Sequence, residues 1–160
     1  MRATSVSALL LIFGMSMSQG VFAQEQEQYP TTACLATLPV NKFRPLNEKV
    51  ALISVEDQTF AMLTNTEKPN DREKFLISQW MEYRNTCFKY GADYRGKLPT
   101  ALRLFAESMQ NSTQLLATDL YAGKITYGDF AKERARKYEE LQKDLNAQMS
   151  APKNNPKGKK

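Results

Sequence analysis

One group of side chains in this sequence could recognise a ligand, and it combines aromatic rings with a guanidinium. Trp80 and Arg84 lie one helical turn apart, and Tyr83, Tyr90 and Tyr94 fall on the same side of a predicted helix. Aromatic rings beside a guanidinium can bind a planar or anionic molecule. The alternative interpretation is that the rings form the core while Arg84 extends along its edge, and the width of the apolar face favours this alternative.

Cys34 and Cys87 are the only cysteines of the chain. An even pair in an exported protein predicts a disulfide. A redox-enzyme motif would place two cysteines close together, as in Cys-x-x-Cys, and that spacing does not occur here. The bond would stabilise the fold by about 4 kcal/mol on the chain-entropy model, because it closes a long loop in the unfolded chain.

Catalytic chemistry has little support in this composition. The chain contains no histidine, so the commonest general base and metal ligand is missing. Acidic residues are spread over polar helix faces, and there is no Gly-rich phosphate loop or nucleophile elbow. Haem ligation through Tyr or Met lacks an attachment motif. We therefore predict a protein that is not an enzyme, with no catalytic residue, no metal site and no cofactor.

The elements that position these residues are three long amphipathic helices, predicted at about 71–95, 100–122 and 127–149. Asn70 and Glu73 have the spacing of a capping box at the start of the first helix. Apolar seams follow helical spacing in the second helix (Leu102, Phe105, Ala106, Met109, Thr113, Leu116, Leu120) and the third (Phe130, Arg134, Tyr138, Leu141, Leu145). The predicted fold class is all-α, an antiparallel bundle.

The turn between the second and third helices is short. Gly123 is expected to adopt a left-handed backbone after the helix end, and Thr126 to cap the next helix with Asp129 in its first turn. Ile125 and Phe130 have the spacing of a hydrophobic staple. So short a connection makes the two helices antiparallel.

The N-terminal part of the chain is less regular. Residues 1–23 have the basic start, the short apolar run and the small residues of a signal peptide. Residues 24–33 lack apolar content and are expected to be mobile. Pro39 and Pro45 predict an extended strap from Cys34 onwards.

Two further segments complete the predicted domain of residues 34–150. The stretch 46–55 is expected to form a short helix or a packed strap, and residues 57–63 about two helical turns. Residues 151–160 form a basic tail, expected to be disordered. No segment after the signal is long and apolar enough to cross a membrane.

The positive charge of the chain belongs to its ends. Removing Arg2 and the four tail lysines from the 22 basic residues leaves 17, equal to the 17 acidic residues. The tail lysines are Lys153, Lys157, Lys159 and Lys160. A neutral body argues against a folded nucleic-acid surface. The tail is either a solubilising end or a weak electrostatic contact with anionic envelope polymers.

The hairpin at residues 120–130 resembles a known motif. Leu120, Gly123, Ile125-Thr126, Asp129 and Phe130, continued by Arg134 and Leu141, follow the pattern of the two-helix short C-terminal domain. This resemblance implies oligomerisation or contact with other proteins. The whole mature chain is also similar to small exported helical proteins of proteobacteria, with a Trp, an Arg and a Cys on a central helix. That resemblance implies a compartment and a fold, and no activity.

The leading functional hypothesis is a non-enzymatic exported protein, periplasmic or secreted, that acts through protein–protein or envelope interaction, including self-association. Leu104 and Leu115 lie on the second helix away from its seam and are candidate partner contacts. The alternative is a carrier of a small or hydrophobic ligand in a bundle cavity near Trp80 and Arg84. A closed core would favour the first hypothesis, and a sizeable pocket touching these two residues the second.

Overall fold

The protein is described by a computed structural model that covers residues 29–151, and all regular secondary structure in this range is helical. The elements are α1 (Pro30–Ala36), a 3₁₀ helix (Val40–Phe43), α2 (Arg44–Asn47), a second 3₁₀ helix (Val55–Asp57), α3 (Phe60–Leu63), α4 (Asp71–Tyr90), α5 (Ala92–Lys97), α6 (Thr100–Tyr121) and α7 (Tyr127–Ser150). The all-α prediction is confirmed. The predicted signal peptide, residues 24–28 and the tail lysines lie outside the described residues.

The long helices α4 and α7 begin at the positions that their capping residues predicted. Asn70 Oδ1 accepts a hydrogen bond from the Glu73 N–H at 3.0 Å, and Glu73 Oε2 accepts one from the Asn70 N–H at 2.9 Å. Thr126 and Asp129 form the same reciprocal pair, at 3.1 Å and 3.0 Å. Gly123 has a φ of +68°, the left-handed backbone that ends α6 without steric cost.

The prediction of one uninterrupted helix to residue 95 is wrong. The helix ends at Tyr90, and α5 starts at Ala92 after Gly91. The backbone of α1 packs directly on Gly91, where a Cβ would collide with the side chain of Thr31. Glycine permits this close approach, at the cost of a break between α4 and α5.

The predicted extended strap and mobile N-terminus are also partly wrong. Residues 30–36 form α1, which includes Cys34, and Pro45 lies within α2. Both Pro30 and Pro45 occupy the first turn of a helix, where a missing N–H leaves no hydrogen bond unmade. After Asn47 the chain leaves the helical conformation and packs with Val50, Ala51 and Leu52 buried, as a packed strap would.

The core joins the N-terminal segment to α4, α6 and α7. Its fully buried large side chains include Phe43, Leu46, Leu52, Ile77, Trp80, Leu120, Tyr127 and Phe130.

A groove bounded by Ala101 of α6 and Gln148 of α7 places the start of one helix beside the end of the other. This contact agrees with an antiparallel pair, while the complete bundle geometry stays a prediction. None of the described helices has the length and apolarity needed to cross a membrane.

Candidate ligand-binding site

A cleft of about 410 Å³ opens between α1, α4, α5 and α6. Most of its lining is apolar, contributed by Phe88, Tyr94, Leu98, Leu102, Phe105, Ala106 and Met109. The polar lining consists of Tyr29, Thr31, Thr32, Arg84 and Gln110. Arg84 is therefore the single charged side chain among the described residues that line this cleft.

One wall of the cleft is α1, which a covalent bond holds in place. Cys34 and Cys87 form the predicted disulfide, with their Cα atoms 5.4 Å apart. The Tyr83 hydroxyl donates to the carbonyl oxygen of Cys34 at 3.1 Å, so the preceding turn of α4 also binds α1 non-covalently. At the start of this wall the rings of Tyr29 and Tyr94 meet edge to face at 5.3 Å. The disulfide thus joins two of the helices that line the cleft.

The short helix α5 forms a second wall, and Arg95 fixes it. Arg95 is buried, and its Nη1 donates to Thr31 Oγ1 at 3.3 Å and to the carbonyl oxygen of Phe88. Its guanidinium carbon lies 3.5 Å from the centre of the Phe88 ring. One side chain therefore links α5 to both α1 and α4.

Arg84 enters the cleft from α4 with few hydrogen-bond partners. Arg84 is buried, with an exposed fraction of only 8%. Nη1 donates to the carbonyl oxygen of Leu52 and Nη2 to Gln110 Oε1, each at the long distance of 3.4 Å. The buried Nε has no partner in the part of the chain that the structure describes. Burial lowers the pKa of Arg84 to about 10, and the guanidinium is still charged at neutral pH.

A second buried arginine, Arg134 of α7, lies close to the first. It is 3% exposed, its Nη1 donates to the carbonyl oxygen of Ala51, and its Nε lacks a partner among residues 29–151. Burial, followed by the charge of Arg84, lowers the pKa of Arg134 to about 9, although Asp57 acts in the opposite direction. Neither Arg84 nor Arg134 forms an ion pair within the described residues.

Trp80 supports both arginines from the core. The guanidinium carbons of Arg84 and Arg134 lie 5.6 Å and 5.9 Å from the centre of its ring. Trp80 is completely buried, its Nε1 donates to the carbonyl oxygen of Leu52 at 3.0 Å, and its ring meets Phe130 edge to face at 6.1 Å. Trp80 is thus a core residue that lies behind Arg84 and does not line the cleft.

The other candidates from the sequence are not gathered at this cleft. Tyr83 contacts α1 on another side of α4, and Tyr90 is 73% exposed, outside the apolar face predicted for it. The break at Gly91 separates Tyr90 from Tyr94, which does reach the cleft. Leu104 and Leu115 are 47% and 69% exposed on α6, away from the cleft lining.

A second group of charges, of which only Glu73 is buried, was not predicted. Lys49 Nζ donates to Glu73 Oε1 at 2.7 Å and to Glu67, and its ammonium lies 5.2 Å from the centre of the Tyr127 ring. Burial alone would raise the pKa of Glu73, but hydrogen bonds from Lys49 and from the Asn70 N–H, with the charge of Lys49, lower it overall. Burial and the charge of Glu73 raise the pKa of Tyr127. This group attaches the segment after α2 to the start of α4.

The sequence analysis did not identify Gln110 or the role of Arg134, although the spacing of both residues is informative. Gln110 follows Ala106 by four residues, and Arg134 follows Phe130 by four, so each is a polar residue on an apolar seam. The first half of the α6 seam was predicted to be core. Instead Leu102, Phe105 and Met109 line the cleft, together with Arg84 and Phe88 of α4.

Within residues 29–151, no three Cys, Asp or Glu side chains lie together in a group that could hold a metal ion.

Comparisons of the chain with family models, with curated proteins and with solved structures found no match. The two resemblances noted in the sequence therefore stay predictions.

Proposed function

We propose that this is a non-enzymatic, exported binding protein that carries a small, mostly apolar molecule in the cleft between α1, α4, α5 and α6. The observation that carries the proposal is an apolar cleft that contains one buried, incompletely bonded charge. A volume of about 410 Å³ falls within the range of small-molecule sites, which combine apolar walls with a few polar groups that fix orientation.

Binding without turnover is proposed because of the groups that line the cleft. Among residues 29–151, those that line the cleft include no carboxylate and no thiol, and the two cysteines are joined in a disulfide. General acid–base catalysis needs a group that gains and loses a proton near neutral pH, within reach of the bound molecule. Arg84 remains protonated at that pH, so it supplies charge and hydrogen bonds.

Export is proposed from two independent features. A disulfide between α1 and α4 persists in an oxidising compartment and is rare in the cytosol. The pattern of residues 1–23 is that of a secretory signal. Together they favour a periplasmic or secreted protein.

The partner-binding hypothesis has weaker support than the cleft. Leu115 and Leu104 are exposed, as a partner surface would require, and so are Phe75 and Tyr121. Single exposed apolar residues are ordinary on soluble proteins, however. The carrier hypothesis called for a sizeable pocket touching both Trp80 and Arg84. The cleft is lined by Arg84 but not by Trp80, so it meets this criterion in part.

The carrier proposal can be tested with a neutral, solvatochromic dye such as Nile red and with a variant that fills the cleft. Ala106 lines the cleft, so Ala106→Phe should occupy part of its volume and weaken dye binding about tenfold, by loss of apolar contact. The matched control is Ala101→Phe, the same change on the same helix in the groove between α6 and α7. It should leave dye affinity unchanged.

Native mass spectrometry of the protein purified from an exporting host provides the second measurement. A stoichiometric bound molecule that Ala106→Phe excludes and Ala101→Phe retains would support the carrier. Absence of dye binding and of any bound molecule would contradict it. So would dye binding that both variants retain equally.

A further inference from the structure

We infer that the ligand is a monocarboxylate with an apolar body, and that Arg84 binds its carboxylate. This inference rests on the proposed carrier function and specifies the chemistry of the cargo. It follows from three features: Arg84 is the charged residue that lines the cleft, its guanidinium has few hydrogen-bond acceptors, and Arg134 adds positive potential nearby.

Arg84 has more N–H donors than the structure gives it acceptors, at a buried position that water largely does not reach. A guanidinium carries five N–H donors, whereas Arg84 has two acceptors among the described residues, both neutral oxygens at 3.4 Å. Hydrogen bonds of that length are weak. A carboxylate oxygen would give the guanidinium an anionic acceptor, which bonds about twice as strongly as a neutral one.

Arg134 increases the positive potential behind this site. Both guanidiniums lie against the ring of Trp80, at 5.6 Å and 5.9 Å, and neither is neutralised by an ion pair within residues 29–151. Charge buried in a low-dielectric interior acts more strongly on an anion than charge in water does. The two arginines therefore favour a negative group at the Arg84 side of the cleft and oppose a positive one.

The apolar lining selects among the anions. Beyond Arg84 and Gln110, the cleft is bordered mainly by Leu98, Leu102, Phe105 and Met109. Moving a doubly charged phosphate next to such a lining costs more dehydration than moving a singly charged carboxylate does. A carboxylate also matches the planar fork of a guanidinium. The expected cargo thus joins one carboxylate to an alkyl or aryl body.

The test compares ligands that share one chain and differ in the head group. The mature protein is titrated calorimetrically with decanoate, decanol, decyl phosphate and decyltrimethylammonium, below their aggregation concentrations. We expect decanoate to bind about tenfold or more tightly than decanol, as one charge-assisted hydrogen bond implies. Trp80 is the only tryptophan, and its contact with Arg84 should make its emission change with decanoate.

Variants then assign the preference to one side chain. Arg84→Met should reduce decanoate affinity to that of decanol, because the methionine retains the apolar stem and lacks the charge. The matched control is Arg136→Met, which removes an exposed arginine paired with Glu133 and Glu140. It should preserve the full preference for decanoate.

The outcomes separate this inference from the function on which it rests. Equal affinity for decanoate and decanol, or tighter binding of the phosphate or the ammonium, overturns the carboxylate and leaves the carrier standing. Binding of none of the four ligands, with no dye bound, overturns both. These comparisons use the unmodified protein, so they decide the question even if Arg84→Met fails to fold.

Discussion

Lys49 and Arg84 both connect the segment after α2 to α4, yet the two cations have opposite surroundings. Lys49 donates to the carboxylates of Glu73 and Glu67, and Glu73 is also part of a capping box. Within the described part of the chain, Arg84 donates only weakly to two neutral oxygens, with Arg134 as a nearby second positive charge. One region therefore contains paired charge away from the cleft, and the other contains unpaired charge at its border.

The difference indicates what each region contributes. A buried ion pair that is complete holds two segments together, and removing one partner leaves an uncompensated charge. A buried cation without a counter-ion lowers stability as it stands, and such groups concentrate where a protein binds or reacts. Paired charge at Lys49 is accordingly explained by the fold, whereas unpaired charge at Arg84 is explained by the ligand we propose.

The largest expected effect concerns the ring that supports the unpaired region. Trp80→Ala should lower the free energy of unfolding by about 3–5 kcal/mol, because it removes a fully buried side chain and leaves a cavity in the core. Urea unfolding followed by helical circular dichroism is the appropriate measurement, since the variant has no tryptophan fluorescence.

The control for Trp80→Ala is Leu115→Ala, at a side chain that is 69% exposed. It should change the free energy of unfolding by less than about 0.5 kcal/mol. Equal, small effects of the two substitutions would show that Trp80 is not a core residue. The contrast between core support and surface would then be lost.

A direct comparison of the two regions neutralises one charge in each. Glu73→Gln retains the capping geometry but removes the acid that Lys49 binds, and should destabilise the protein by about 1–3 kcal/mol. Arg84→Met should change stability by less than about 1 kcal/mol in either direction, because an unpaired buried charge disappears with little loss of volume. Thermal and urea unfolding of both variants measure the difference.

If Arg84→Met destabilises the protein as much as Glu73→Gln does, Arg84 is a structural residue and the comparison fails. The exposed substitution Glu140→Gln, in the surface ion pairs of α7, serves as the control for removing an acid. Surface pairs of this kind contribute little, and the unfolding midpoint should not move measurably.

The sequence anticipated the features that depend on local rules. The capping residues Asn70 and Thr126 and the left-handed Gly123 were predictable because each acts within a few residues of its own position. The disulfide was predictable from the signal-like pattern of residues 1–23 and the even number of cysteines.

What could not be predicted depends on contacts between distant segments. Gly91 lies at the break between α4 and α5, in close contact with Thr31 of α1, and the residues near Gly91 in the sequence give no indication of that contact. The Lys49–Glu73 pair joins residues separated by 24 positions. For the same reason periodicity placed Leu102 and Phe105 on an apolar face, but could not distinguish a core from a cleft.

The smallest expected effect is a pH dependence that belongs to the paired region alone. The pKa of Glu73 in the folded protein is below its ordinary value of 4.5, so the unfolded state takes up the proton first as the pH falls. The stability that Glu73 contributes is fully present well above pH 4.5 and is lost as the pH falls towards and through the lower folded pKa. Glutamine does not titrate, so this loss is absent from Glu73→Gln. The gap in unfolding free energy between wild type and Glu73→Gln should therefore be constant from pH 7 to about pH 5.5 and shrink below it. Other carboxylates titrate in both proteins and cancel in the difference.

Arg84→Met should show a gap to wild type that does not change over this acidic range, because the guanidinium stays protonated throughout. Urea unfolding at several pH values for the three proteins makes the measurement. A gap for Glu73→Gln that is independent of pH would mean that Glu73 is not held as a charged partner of Lys49, and the contrast between paired and unpaired charge would lose its first half.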